Sequence, residues 1–585
     1  MFKKENLEIL RSEMKKAGLK AYLIVTGDPH DSEEPAPYWG AERNFFCPFS
    51  GDNAQLLITE KDAYLFTDGR FFISAEMELK DSTIKLMKMG TKGYPTVQEL
   101  IKEDELYPLG VNELTISPAF LKSLTNKKST IVDFDFSYLV SPRPSLCKEK
   151  IWRFDQSEYN TLTRDQKIEQ VLNEVEKKDA EANLITTLDD IAWILNLRGN
   201  DINCTPVFYS YLYLSKKVGN HLFVDTSRID YPLDNITIHP YEEISSFLDE
   251  NKNVATLVDP SRCNAKLYNI LNNRIDGKTP SSLMKAIKGE VEIKNIIEIQ
   301  ELDGVALLKL IDFIDTHKNE KLTEWDYALV LEQFRRESPR LIEPSFTTIA
   351  ACGPNAAMMH YAPSEKVHAV VDPANTIELL VDSGGQYYGG TTDTTRTFLI
   401  GKPTKEFIHD YTLTLKSVIN LSRTIFLDGS SGVTIDIKAR EIMWREGMDY
   451  KCGTGHGVGY VLPVHEGPNG FRYRVVPNRD DSNKLVPGMI TTIEPGVYKE
   501  GKYGIRIENN LLTVPAFETS DGVFYKFQDV TYVPIETKAL DLSLLSDDEI
   551  EYLNNYHQDV YNRLSKYVNG HLLEVLKEKT KKVSR

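Results

Sequence analysis

Residues 377–397 read IELLVDSGGQYYGGTTDTTRT: an apolar run ends on an aspartate, passes two Gly-Gly pairs and returns with a second aspartate. Few patterns constrain a fold so tightly. The run is apolar enough to be a buried strand, and the glycines allow the chain to double back. We expect a strand over 377–383, a tight turn at Gly384-Gly385 and a returning strand from Tyr387 onward, with Gly389-Gly390 marking a bulge or close backbone approach. Such a hairpin brings Asp382 and Asp393 face to face. Two carboxylates that close repel, and one stays protonated unless a cation neutralises both. A polar surface hairpin is the alternative, and the apolar run argues against it.

Three further residues sit in comparable settings. His456 lies between Gly455 and Gly457, where missing side chains leave room for a metal and a substrate. Glu494 ends an apolar strand over 489–493, just before Pro495-Gly496. Glu508 follows in GIRIEN, and Arg506, two residues away, would share its face on a regular strand. Arg506 then either supports ligating carboxylates or forms an ordinary same-face ion pair. Any one of these acids alone is a capped turn or a solvated side chain. Four carboxylates and one imidazole together form a hard, oxygen-rich donor set suited to a pair of divalent ions such as Mn²⁺, Co²⁺ or Zn²⁺ rather than a thiolate-bound structural zinc.

These segments, with PSFTTIAACGPNAAMMHYAP, GTGHGVG, VHEGPNG and TTIEPGVY, resemble the pita-bread metallopeptidases (methionine aminopeptidase, prolidase and aminopeptidase P). The long, three-domain form of aminopeptidase P is the nearest likeness, and KAIKGEVEIKNI and AWILNLRGNDI extend it to nearly the whole chain. The resemblance implies an α/β (α+β) protein: a C-terminal pita-bread catalytic domain preceded by two similar creatinase-type α/β domains. It implies that Asp382 binds one metal, that Asp393 and Glu508 bridge two, and that His456 and Glu494 bind the other. Two such ions lower the pKa of a shared water, so that hydroxide can attack the carbonyl before a proline, with Glu494 shuttling the proton. His465 would hydrogen-bond the developing oxyanion, and His360 would position substrate and stabilise the same charge. A lone histidine is more often surface or satisfied core, but three of the eleven in this chain fall inside the matched motifs. The implied substrates are peptides with proline second, and the implied assembly is a homodimer.

One position departs from the pattern. Many relatives read His-Gly-Thr-Gly-His where this chain has Cys452-Gly453-Thr454-Gly455-His456. The replaced histidine belongs to the proline-side pocket and not to the metal ligands, so the pocket's shape and polarity change while the metal set stays complete. Cys452 reads as a small lining residue, with an oxidation-sensitive thiol as the alternative.

At 585 residues the chain exceeds one core. A net charge of −17 argues against nucleic acid as a partner. Six scattered cysteines without a CxxC pair read as reduced thiols, and no apolar stretch is long enough for a membrane. The first residues form a charged amphipathic helix and not a signal peptide, so a cytoplasmic enzyme is expected. Domain boundaries are expected near residues 150, 288 and 540, with a helical extension over 541–585 ending in a frayed, basic tail. The second domain replays the first: HLFVD echoes AYLFTD. The aromatic segment 39–49 either lines an active-site mouth or forms a buried cluster. Prolidase action on Xaa-Pro dipeptides is the alternative reaction. A ligand-free scaffold, or metal-free chemistry on the same fold, is disfavoured by the complete ligand set.

Overall fold

A computed structural model describes residues 2–127, 129–476 and 481–585. The chain forms two compact units, one of residues 2–155 with 162–282 and one of 156–161 with 283–585.

The first unit holds two six-stranded mixed sheets of the same design. In the first sheet, the strands Ile84–Lys88, Ala63–Thr67, Gln55–Thr59, Ala21–Val25, Leu109–Val111 and Ile131–Asp133 lie side by side in that order. The second runs Thr237–Pro240, His221–Val224, Ser210–Ser215, Ala182–Ile185, Thr256–Val258 and Arg274–Asp276. Both follow one sequence of pairings: parallel, antiparallel, antiparallel, parallel, parallel. HLFV and AYLFT occupy equivalent strands, so the faint sequence echo reflects a structural repeat. Leu7, Leu10 and Met14 of the helix Lys4–Lys16 join Tyr22, Ile24, Leu56 and Ile58 in a shared core. Part of the aromatic segment is a helix, Pro37–Phe46, with Arg43, Phe46 and Phe49 buried, which favours the buried-cluster reading.

The longest helix of the second unit is Glu290–His317, whose buried face includes Ile296, Ile299, Leu307 and Ile311. A three-stranded antiparallel sheet joins Ile349–Ala351, Glu378–Ser383 and Thr394–Leu399. A six-stranded sheet runs Ile425–Leu427, Gly522–Asp529, Asn509–Thr519, Ile490–Ile493, Gly455–Gly457 and Glu466–Phe471. Phe407, Tyr411 and Leu415 of the helix Lys405–Ser422 share a core with Phe471, Ile493 and Leu511 of that sheet.

Three local expectations are corrected. The chain does not reverse at Gly384-Gly385; it continues into a further strand, Gly385–Tyr387, which pairs with Gly390–Thr391. The reversal sits at Tyr388-Gly389, where Gly389 has φ 115° and Gly390 φ 149°, values that only glycine adopts readily. Glu508 is not on the strand of Arg506: that strand is Tyr503–Arg506, and Glu508 occupies the short break before Asn509–Thr519. The basic tail is tied down. Val583 exchanges hydrogen bonds with Asn554 at 2.9 and 3.0 Å, and the Arg585 guanidinium lies 3.0 Å from Asp547.

One buried cation joins a C-terminal helix to the centre of this unit. Arg396, 1% exposed, donates to the carbonyls of Thr395, Glu508, Val533 and Pro534, to Asn509 Oδ1 and to the Tyr556 hydroxyl. Tyr556 lies on the helix Asp547–Leu564 and passes its own proton to the Val533 carbonyl at 2.8 Å. Tyr556→Phe leaves these groups short of a partner, and we expect calorimetry to show a loss of about 1–3 kcal/mol.

Candidate metal centre

The Asp382 strand pairs with Ile349–Ala351 on one side and Thr394–Leu399 on the other, with Asp382 opposite Thr395. Asp393 immediately precedes the latter strand, and His456 comes from the centre of Gly455–Gly457. A Cβ on Gly455 would stand 1.8 Å from the Thr492 carbonyl oxygen, so only glycine lets this strand close on Ile490–Ile493. That approach sets His456 beside Glu494, which follows Ile493: Nε2 lies 3.6 Å from Glu494 Oε1 and 3.4 Å from Asp393 Oδ2.

Asp393, His456 and Glu508, all buried, each place a donor atom within 4.8 Å of the others. The His456 Nδ1 meets the Gly457 carbonyl at 2.9 Å; a carbonyl only accepts, so Nδ1 carries hydrogen and Nε2 faces the carboxylates. The 3.4 and 3.6 Å separations are long for hydrogen bonds. They are close to the roughly 3.0–3.4 Å expected between two donors that each sit about 2.1 Å from one octahedral or tetrahedral cation.

Asp382 is held by Arg506, whose Nη2 donates to Oδ2 at 2.6 Å. The same guanidinium donates to the Tyr498 hydroxyl at 2.6 Å, to Thr395 Oγ1 at 3.1 Å and to the Met359 carbonyl at 3.4 Å. Arg506 thus supports Asp382, and not Glu508 as a same-strand pairing would have it. Glu508 is instead fixed by Thr395, whose hydroxyl donates to Oε2 at 2.7 Å. Asp382 Oδ1 and Glu508 Oε1 are buried without a hydrogen-bond partner among the described residues. Such orphaned anionic oxygens are costly in a protein interior, and a divalent cation would satisfy both, so the donor set fits the metal expected from sequence.

Of the other sequence candidates, His465 stacks edge-on to His456 with ring centroids 4.3 Å apart. His360 is half-buried in the loop that follows Gly353–Ala357, next to the Met359 carbonyl held by Arg506. Cys452 is half-buried and packs on a cluster that includes Met443 and Val497. Burial, with Glu494 nearby, pushes its thiol up to about 12. It is therefore a neutral group, not a poised thiolate. Sequence reasoning missed Thr395, Tyr498 and Arg440. Thr395 was within reach, since it lies two residues beyond Asp393 in an alternating strand. Arg440, fully buried, donates to Asp436, Asp449, Thr454 and the carbonyls of Tyr450 and Cys452, thereby setting the loop that leads to His456. No local motif around Arg440 announces that role.

Comparison with known proteins fits this geometry. Residues 294–515 match metallopeptidase family M24, residues 7–140 and 142–292 each match a Creatinase/Prolidase N-terminal domain, and residues 523–583 match the C-terminal region of peptidase M24. Xaa-Pro aminopeptidase 1 of Dictyostelium discoideum is 34% identical, covering 96% of this chain and 93% of its own. The chain belongs to the M24 metallopeptidases, among the long Xaa-Pro aminopeptidases. A probable Xaa-Pro aminopeptidase P of Coprinopsis cinerea is 33% identical, with 98% of each chain covered. The crystal structure of the X-prolyl aminopeptidase of Caenorhabditis elegans, a cytosolic enzyme with a di-nuclear active site, superposes with a TM-score of 0.93 at 32% identity over 99% of both chains.

Without a cation, burial raises the Asp382 carboxyl from 3.8 to about 6; the Asp393 and Glu494 charges add to the rise and Arg506 opposes it. Glu508 is raised well above the usual carboxylate range, again chiefly by burial. The folded carboxyl thus holds its proton more tightly than the unfolded one. Metal-free protein should lose stability as pH rises from about 4 towards 6, and a bound cation should reverse that trend. We expect the thermal shift on adding Mn²⁺ to be larger at pH 7.5 than at pH 5. Titration calorimetry below about pH 6 should show protons released on binding. A shift independent of pH would contradict this assignment.

Proposed function

We propose that the chain is a metal-dependent Xaa-Pro aminopeptidase, hydrolysing the bond between an N-terminal residue and a penultimate proline. The observation that carries this reading is the enclosed cluster of Asp393, His456 and Glu508, within a chain similar over nearly its whole length to Xaa-Pro aminopeptidases. Asp382, Asp393, His456, Glu494 and Glu508 would hold two divalent ions, with Mn²⁺ the first choice and Co²⁺ or Zn²⁺ able to replace it. When bound, the ions lower the pKa of a water and polarise the scissile carbonyl.

The remaining steps fall to the chain's own side chains. Glu494 has the greatest solvent access of the cluster, its side chain 24% exposed against 6% for Asp393 and 12% for Asp382. That access suits a group that takes a proton from the attacking water and returns it to the proline nitrogen, a poor leaving group until protonated. His465 and His360 supply N–H groups to the oxygen that gains charge as the carbonyl becomes tetrahedral. Arg506 keeps Asp382 ionised and oriented. Cys452 lines the proline-side pocket as a neutral, compact group, leaving more room there than a histidine. The same reading includes a cytoplasmic homodimer and domain boundaries near residues 150, 288 and 540. Among the described residues no helix is long and apolar enough to cross a membrane.

Chelator-stripped protein restored with Mn²⁺ should release Xaa from Xaa-Pro-Yaa and leave Xaa-Ala-Yaa intact. Asp393→Asn should cut kcat at least about 100-fold, the upper end for disturbing a metal's surroundings short of its ligands. Turnover confined to the dipeptide Xaa-Pro would indicate prolidase. No turnover with two metals bound would overturn the reading. Cys452→Ala should retain metal content and turnover, and their loss would show that Cys452 does more than line the pocket.

A further inference from the structure

Glu324 is completely buried at the first turn of the helix Glu324–Arg336, outside the carboxylate cluster described above. Its Oε1 accepts from the Cys352 backbone N–H at 2.8 Å and from Asn355 Nδ2 at 3.1 Å. Its Oε2 accepts from Asn355 Nδ2 at 3.0 Å, the Tyr361 hydroxyl at 2.7 Å and the Ala369 backbone N–H at 2.7 Å. Its own backbone N–H donates to the Ala369 carbonyl at 3.0 Å. All of these partners lie in one segment, 352–369. Among the described residues no lysine or arginine pairs with this carboxylate.

Burying a carboxylate without a countercharge is expensive, and charge-assisted hydrogen bonds are what offset the cost. A position needed only to fill space would not carry that burden. Every bond the carboxylate makes acts on the segment containing His360. Tyr361, directly after His360, is anchored to Glu324. Met359, directly before it, is anchored to Arg506, the guanidinium that also holds Asp382. Two more contacts stiffen the stretch. Gly353 N–H donates to Glu378 Oε1 at 3.0 Å, and Tyr361 N–H donates to the Met358 carbonyl at 3.1 Å. A Cβ on Gly504 would stand 1.7 Å from the Ala356 carbonyl oxygen, so the strand of Arg506 runs directly against this segment.

We propose that Glu324 is a positioning residue for the reaction: its buried carboxylate fixes the 352–369 segment so that His360 presents its imidazole to the reacting carbonyl. The inference rests on the active-site role given to His360 above. A glutamine cannot replace the carboxylate, because its NH₂ would face the backbone N–H of either Cys352 or Ala369.

The test is a double-mutant cycle in kcat on Xaa-Pro-Yaa, using full-length protein reloaded with Mn²⁺ and assayed for metal content. Glu324→Gln should lower kcat by roughly 10–100-fold, as loss of a supporting hydrogen-bond partner typically does, with the metal content unchanged. In a His360→Ala background the same change should add less than about twofold, the margin within which independent effects combine. Tyr361→Phe removes one donor of the set. It should give a smaller loss in the same direction, also absent without His360, and it decides the matter if Glu324→Gln does not fold. If His360→Ala impairs kcat but the Glu324 or Tyr361 change multiplies that loss in full, the proposal falls and the reading of His360 stands. If His360→Ala retains wild-type kcat, the role of His360 falls and the proposal goes with it.

Discussion

Carboxylates crowded inside a protein set the terms for this chain. Asp382, Asp393 and Glu508 are all buried; the Asp393 charge raises the cost of ionising Asp382 and Glu508, and the Asp382 charge adds to that of Glu508. At roughly 5 Å and an effective dielectric of about 20, two such charges repel by about 3 kcal/mol. Left alone, Asp382 and Glu508 hold their protons more tightly than free carboxyls do. Ionised and paired with cations, they become a preorganised site of high charge density, and the surrounding architecture keeps them in place until that happens.

The holding is done largely by buried arginines, each directed at a different part of the frame. Arg506 fixes Asp382 and the carbonyl before His360. Arg396 fixes the backbone of Glu508 and ties it to a C-terminal helix. Arg440 fixes the loop entering His456. A guanidinium suits this work because five N–H donors in a rigid plane can satisfy several acceptors at once. Glu324 is the anionic counterpart on the His360 side, collecting donors where the arginines collect acceptors.

Much of this was legible in the sequence, for identifiable reasons. The apolar run before Asp382 and the proline after Glu494 are local signals that led to the strand carrying Asp382 and the strand ending just before Glu494, whereas the glycines around His456 signalled open space without naming its strand. The internal repeat was faint because only the core-facing positions of equivalent strands need agree in polarity, yet two sheets with the same pairings came from it. What sequence could not supply was tertiary. The reversal at Tyr388-Gly389 depends on a strand pairing that Gly385–Tyr387 makes with Gly390–Thr391 and with Leu341–Pro344. Arg506 serves Asp382, more than a hundred residues away, because the strand holding Glu508's neighbours breaks between the two. Glu324 gave no signal, since a glutamate in a helix's first turn has an ordinary explanation in the helix dipole. The basic tail was misjudged for the same reason: its anchors, Asn554 and Asp547, lie far outside any local window.

We propose that the buried carboxylates are shared between two cations. The most direct measurement is a Mn²⁺ titration of metal-free protein near pH 7.5, followed by electron paramagnetic resonance. Uptake of two ions per chain is predicted, with a signal from exchange-coupled ions as the second site fills. Glu508→Gln should abolish that coupling. Saturation at a single ion, or coupling that survives loss of Glu508, would contradict the account.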